Sequence, residues 1–217
     1  MTELLFIRHG ETDWNRQQRF QGQIDVPLNA AGQAQAQRLV GHLQRQHESF
    51  DHLFSSDLQR AQQTAAPLAS LWQQAPTLVP GLREQHFGIF EGLDAPTIKA
   101  QYPELWQDWL LHSPHFALPG GGESLQQFHD RVLEAVATLA AAHPGQRLAI
   151  VTHGGVLDML WRSAHRLPFS GLRECAIPNT GLNWLRWVAG RLVIDSWADD
   201  GHLAGLAEQA STAAGER

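Results

Sequence analysis

Two short apolar runs in this sequence each lead into a histidine: Leu4-Leu5-Phe6-Ile7 into Arg8-His9-Gly10, and Leu148 to Val151 into Thr152-His153-Gly154-Gly155. A third run, near His52 to Ser55, leads into a helix-like stretch that carries Arg60 about one turn past its start. Imidazole can serve as a nucleophile, acid or base near neutral pH, and the planar fork of arginine matches the oxygens of phosphate. Read as neighbouring strands of an open α/β sheet, the three runs place their carboxyl ends on one edge, where ligands of such sheets bind. Arg8, His9, Arg60 and His153 then form one cationic cluster. The helix N-termini after Ser56 and Gly154 add backbone N–H groups and dipoles to it. Such a cluster is costly without an anion, and phosphate is the favoured guest.

The elements that must position these groups follow in order. Asn29 caps a helix to about Gln46, with Ala36, Leu39, Val40 and Leu43 on one face. Ser56 with Gln59 reads as a capping box opening a helix to about Ser70. Thr77 to Val79 suits a third strand, and Gly81 to Asp94 is irregular. Pro96, Pro103, Pro114 and Pro119 break residues 95–119 into short helices. A second capping box, Ser124 with Gln127, opens a long helix facing inward through Leu125, Phe128, Val132, Val136 and Leu139 and ended by Pro144-Gly145. A helix to about Ser163 follows His153, and Leu182 to Val188 with Leu192 to Trp197 reads as a β-hairpin. This alternation predicts an α/β fold with a mostly parallel sheet. One domain over 1–198 is expected, with 95–119 as a lid over the site and 199–217 as a peripheral tail.

Composition narrows the function. The chain has 217 residues and a formal net charge of -6, which implies no general attraction to nucleic acid or to an anionic membrane. Its few cations must therefore concentrate at one place to handle phosphate. Lys99 is the single lysine among sixteen basic residues, and no G-x-x-x-x-G-K-[ST] loop exists, so a P-loop nucleotide enzyme is excluded. No apolar run approaches a membrane span, no signal-peptide pattern opens the chain, and Cys175 is the one cysteine. A cytoplasmic protein is expected.

Taken singly, an Arg-His pair at a strand end is usually a solvated terminus, and Thr-His-Gly-Gly is usually a turn. Six ordered segments together say more. They are Arg8-His9-Gly10-Glu11-Thr12-Asp13-Trp14-Asn15; Gln21-Gly22 with Asp25 and Pro27-Leu28; Ser55-Ser56-Asp57-Leu58-x-Arg60-Ala61-x-x-Thr64-Ala65; Leu82-Arg83-Glu84-x-x-Phe87-Gly88-x-x-Glu91-Gly92; Gly121-Gly122-Glu123-Ser124; and Thr152-His153-Gly154-Gly155 followed by Pro178-Asn179-Thr180. In order and spacing, over roughly residues 4–188, the sequence resembles the histidine phosphatase superfamily in its phosphoglycerate-mutase-like branch. The resemblance implies that family's three-layer sandwich. It makes His9 the nucleophile, with Arg8, Arg60 and His153 on the phosphoryl oxygens and Glu84 as proton donor. Asn15, Gln21, Gly22 and Gly154 are implied as further substrate-binding positions. Glu91, close by, is the competing acid, and Ser56 either orients His9 or only caps its helix. No cofactor and no metal are implied.

The same pocket serves phosphatases and cofactor-dependent phosphoglycerate mutases. The mutases carry, after the acid, an insertion with lysines and paired arginines for a second acidic group. Residues 92–123 hold Lys99 and no arginine, so a phosphatase, similar to the α-ribazole and broad-specificity phosphatases, is expected over a mutase or a silent phospho-ligand-binding module. Trp106, Trp109, His115 and Phe116 suggest a lid that is aromatic and poor in cations, favouring a small monoester with an uncharged or partly apolar remainder, of α-ribazole-phosphate or sugar-phosphate type. Helical packing is an equally good reading of the two tryptophans. His112 and His115, like His42, His47 and His52, match no zinc spacing and read as surface residues, and Cys175 reads as inert. Oligomeric state cannot be read from the sequence.

Overall fold

The structure, a computed structural model, describes residues 1–205. Six strands form one sheet in the order β3-β2-β4-β1-β5-β6: β1 Thr2–Arg8, β2 His52–Ser55, β3 Thr77–Leu78, β4 Arg147–Thr152, β5 Leu182–Val188 and β6 Arg191–Asp199. The first four run parallel, and the predicted hairpin β5–β6 adds to β1 antiparallel. The central strands read as continuous apolar runs because both their faces are covered. On β1, Leu4 and Phe6 pack towards helices α6 (Leu125–Ala142) and α7 (Gly154–His165), whereas Leu5 and Ile7 pack towards α2 (Ala30–Arg45) and α3 (Gln59–Trp72). With the short α1 (Asp13–Arg16) after β1, that gives the expected α/β three-layer sandwich.

The register of the parallel strands sets the site. Arg8 pairs with Thr152, and Ser55 with Val151, so His9, Ser56 and His153 leave the sheet side by side. The local signals hold for α2, where Asn29 accepts from Gly32 N at 2.9 Å, and for α6, where the Ser124–Gln127 box is complete. They fail at α3. Its N-cap is Leu58, without a side-chain bond, and Gln59 N instead donates to Asp25 Oδ1 at 2.6 Å. The Ser56 hydroxyl accepts from Leu58 N at 3.3 Å, one residue before the helix, and also meets His153 Nε2 at 2.8 Å.

Residues 95–118 hold two short helices, α4 (Ala95–Gln101) and α5 (Pro103–Leu110), around a separate small core of Phe20, Phe90, Ile98, Trp106 and Leu118. The tail behaves differently from expectation over its first residues. Asp199 still belongs to β6, and the turn Gly201–Leu203 buries His202 and Leu203 against α2. The remainder of the expected tail, 206–217, lies outside the described residues. Among the described residues no helix is long and apolar enough to cross a membrane.

Candidate active site

At the carboxyl end of β1, His9 is 3% exposed and its ring lies 5.2 Å from that of His153. His9 Nδ1 sits 2.7 Å from the carbonyl of Gly10. A carbonyl only accepts, so Nδ1 carries the proton and Nε2 keeps its lone pair. The His9 main chain is held as firmly. Its N–H donates to Thr152 O at 2.9 Å, and its carbonyl accepts from Asn179 Nδ2 at 2.8 Å. Gly10 N donates to Thr64 Oγ1 at 3.0 Å, which joins the loop to α3.

The two arginines are buried and oriented by carbonyls. Arg8 Nη1 donates to Ile177 O at 2.7 Å; Arg60 donates to Gly22 O at 2.7 Å and to Ile24 O at 3.0 Å. Burial holds the His9 imidazole well below its ordinary value near 6.5, and the neighbouring Arg60 and Arg8 push the same way, against the Gly10 bond. Burial, then Arg60, His9, Arg8 and Arg131, does the same to His153. Both rings are thus neutral near pH 7. A neutral pair of imidazoles flanked by permanent guanidinium charges suits a dianion that must also be attacked.

Glu84 and Glu91 separate cleanly by environment. Glu84 Oε2 accepts from Gly155 N at 2.9 Å, and Oε1 from Gln85 N at 2.9 Å, which places the carboxyl at the start of α7 beside His153. A Cβ on Gly155 would overlap that carboxylate. Glu91 is a clamp: its Oε1 accepts from Gln23 N at 2.9 Å and Phe87 N at 3.0 Å, and it fills the space beside Gly22, whose φ is +50°. Arg131 steadies the Glu84 segment by bridging Glu123 to the carbonyls of Gly81, Arg83 and Glu84.

The remaining sequence candidates surround this cradle. Thr12 Oγ1 accepts from Asn15 N at 3.1 Å and donates to Gln21 Oε1 at 2.9 Å, so Asn15 and Gln21 form one buried unit. Gly22 reaches the cluster through its carbonyl on Arg60, and buried Gly154 opens α7. Ser56 turns out to touch His153 rather than His9. Sequence reasoning gave no role to Thr64, Glu123, Gly155 or Asn179, although all lie inside the quoted motifs. Neither did it see that Thr180 Oγ1 donates to Asn179 O and meets His202 Nε2 at 3.1 Å.

Beyond Glu84 a cleft opens between the segment 109–118 and α6–α7. Glu84, Gly155, Trp109, His112, Phe116 and Phe169 are among its walls, and its cavity volume is about 70 Å³. Two expectations change here. His112 is a cleft residue with a buried Nε2, not a surface one. Counting cations within 92–123 also missed Arg173, which enters the wall from the segment after α7, whereas Lys99 lies 5.2 Å over the Trp106 ring in the lid. Cys175 behaves as expected of an inert thiol, since burial and then Asp158 push it up to about 12.

The profile of the histidine phosphatase superfamily (branch 1) matches residues 4–200. The chain belongs to this superfamily. Among its relatives, phosphoglycerate mutase-like protein 4 of Arabidopsis thaliana is 36% identical over 93% of this chain and 86% of that protein. The metal-independent phosphoserine phosphatase of the same plant is 34% identical, over 95% of this chain and 85% of the relative. The crystal structure of the α-ribazole phosphatase from Shigella flexneri superposes with a TM-score of 0.79 at 29% identity, covering 91% of this chain and 96% of that one. This histidine phosphatase is therefore a hydrolase of the phosphatase kind, with the fold that the six motifs implied.

Proposed function

We propose that the protein hydrolyses a small-molecule phosphomonoester in two steps, with the phosphoryl group carried transiently on His9. The Nε2 lone pair attacks phosphorus in line while the bond to the leaving oxygen breaks. Glu84, protonated, gives its proton to that oxygen. A water then enters, Glu84 takes its proton, and the resulting hydroxide displaces His9 and releases phosphate. Arg8, Arg60 and His153 share the equatorial oxygens, whose charge is spread in the loose transition state. Asn15, Gln21, Gly22 and Gly154 complete the binding shell.

The observation that carries this reading is the 2.7 Å contact from His9 Nδ1 to the Gly10 carbonyl. It fixes the one tautomer that can attack, in a ring that burial keeps neutral. Glu84 is the acid in preference to Glu91 because its carboxyl lines the cleft open to a leaving group, whereas Glu91 is turned towards Gln23 N and Phe87 N and fills the space beside Gly22. The single cysteine and acidic chain go with a cytoplasmic setting and a small-molecule, rather than nucleic-acid or membrane, partner. Turnover of p-nitrophenyl phosphate in EDTA, with rapid-quench capture of ³²P on His9, tests the proposal. Turnover without label on His9 would discard the covalent route, and no turnover at all would leave a binding module.

A further inference from the structure

We propose that Arg162 is a positioning residue for substrate selection: it fixes the segment 168–173 as one wall of the cleft, and that wall sets the size of the leaving alcohol. This rests on the phosphatase reading, in which the alcohol must lie against Glu84. Gly155, Asp158 and Arg162 stand three and four residues apart, so they share one face of α7. Gly155 and Asp158 line the cleft, and Arg162 lies one turn behind them. At the near end of this face Gly155 N donates to Glu84 Oε2 at 2.9 Å; at the far end Arg162 holds the wall. One helix therefore spaces the proton donor from the groups that meet the rest of the substrate.

Arg162 is 2% exposed, and its five N–H groups are matched by five hydrogen bonds. Nε donates to Asp158 Oδ2 at 3.0 Å. Nη1 donates to Pro168 O at 2.9 Å and to Ser170 O at 3.1 Å. Nη2 donates to Gly171 O at 3.1 Å and to Leu172 O. All but the Asp158 bond thus go to one short stretch of chain. Among the described residues, no main-chain to main-chain bond ties 168–172 to a strand or a helix. Such a stretch takes its shape from whatever satisfies its carbonyls, and here that is a single buried guanidinium. Gly171, at a φ of +109°, lets successive carbonyls turn towards it.

The held segment faces the substrate space. Phe169, Gly171, Leu172 and Arg173 line the cleft together with Trp109 and Phe116. The Phe169 ring stacks on His129 of α6 with centroids 4.9 Å apart, and Leu172, 56% exposed, marks where the cleft meets solvent. Asp158, which balances the Arg162 charge, also stands 4.0 Å from Arg173 Nε and so joins the end of the segment to α7. A cavity of about 70 Å³ leaves little slack. A small shift of the wall changes which alcohols fit beside Glu84, without moving His9 or its arginines.

The test is a kinetic panel on the full chain with methyl, phenyl and 1-naphthyl phosphate, three esters of one chemistry and rising size. The wild type is expected to favour phenyl over 1-naphthyl phosphate in kcat/KM. Arg162→Lys keeps a charge beside Asp158 but loses the planar fork. It should shrink that preference by about tenfold, the discrimination that one pocket contact supplies, and mainly through KM. Methyl phosphate, whose alcohol is too small to reach the wall, should change far less. Phe169→Ala, which trims the wall and leaves Arg162 in place, should shift the same preference. Amide exchange in Arg162→Lys should quicken over 168–172 while β1 keeps its protection. An equal fall on all three esters would make Arg162 merely structural and overturn the inference. So would an unchanged preference in either variant. Arg162→Gln serves the same comparison if the lysine variant does not fold; failure of both assigns Arg162 to the fold and equally overturns it. A wild type that turns over p-nitrophenyl phosphate but is blind to ring size sinks the inference alone; one inert towards every ester sinks the phosphatase reading with it.

Discussion

Around His9, the backbone holds the chemistry. The Gly10 carbonyl orients the ring, Ile177, Gly22 and Ile24 carbonyls orient the two guanidinium groups, and the Gly155 N–H donates to Glu84. The neighbouring cleft is assembled differently. Its walls are side chains from a proline-broken lid, from α6 and α7 and from the segment after α7. The first arrangement suits a step common to every substrate, because preorganised donors need not move as charge shifts. The second suits discrimination, since loops and their side chains can be exchanged without disturbing the sheet.

If this contrast is right, substitutions in the cradle should act on chemistry with any ester, and substitutions in the lid should act by substrate. The largest effect is expected for His9→Ala, which removes the proposed nucleophile: p-nitrophenyl phosphate turnover should vanish while the thermal melt stays cooperative. Glu84→Gln should slow kcat by ~10²–10⁴-fold, the usual span for a general acid. The matching change Glu91→Gln should not reproduce that loss if Glu91 is only a clamp. Gly155→Ala inserts a methyl group where the Glu84 carboxylate lies. A displacement of that kind is expected to cost ~10²-fold in kcat, and KM for a small ester should change far less. Phe116→Ala, in the lid, should change kcat for p-nitrophenyl phosphate only about twofold, well below any cradle variant. A lid variant that silenced every ester would erase the contrast.

A pH experiment sharpens the same comparison. His9 and His153 are held below the ordinary imidazole value near 6.5, by burial first and Arg60 next. Below pH 6.5 the unfolded chain takes up protons that the folded chain refuses, so stability should fall as pH drops from that point and stay flat above it. His202, pushed down to about 4 by burial and then by His42, adds to the loss over the interval between 6.5 and 4. Urea midpoints at pH 7.5 and 5.5 would show it. Inorganic phosphate should oppose the loss at pH 5.5, because a bound anion offsets Arg8 and Arg60. A phosphate-independent midpoint would count against anion binding at the cradle.

Much of the cradle was legible because its parts are local. A strand that ends in Arg-His-Gly carries its histidine wherever the strand goes, and buried parallel strands are apolar on both faces, which made β1 and β4 readable as runs. Asn29 and the Ser124–Gln127 box were readable because a cap is satisfied within a few residues. Ser56 fits the same rule but bonds Leu58 N, one residue too early, and also His153, distant in sequence, while Asp25, equally distant, accepts from Gln59 N at the helix N-terminus.

What the amino-acid order determined by itself is therefore the strand-and-helix alternation and the histidines and arginines that it delivers to one edge of the sheet, both written in short-range patterns. Which oxygen of which glutamate meets Gly155, and that His112 and Arg173 share a cleft, was decided only when the lid, α6 and α7 packed together. Contacts between residues far apart in sequence have no periodic signature. They follow from side-chain volume and the filling of space, which no window of neighbouring residues records.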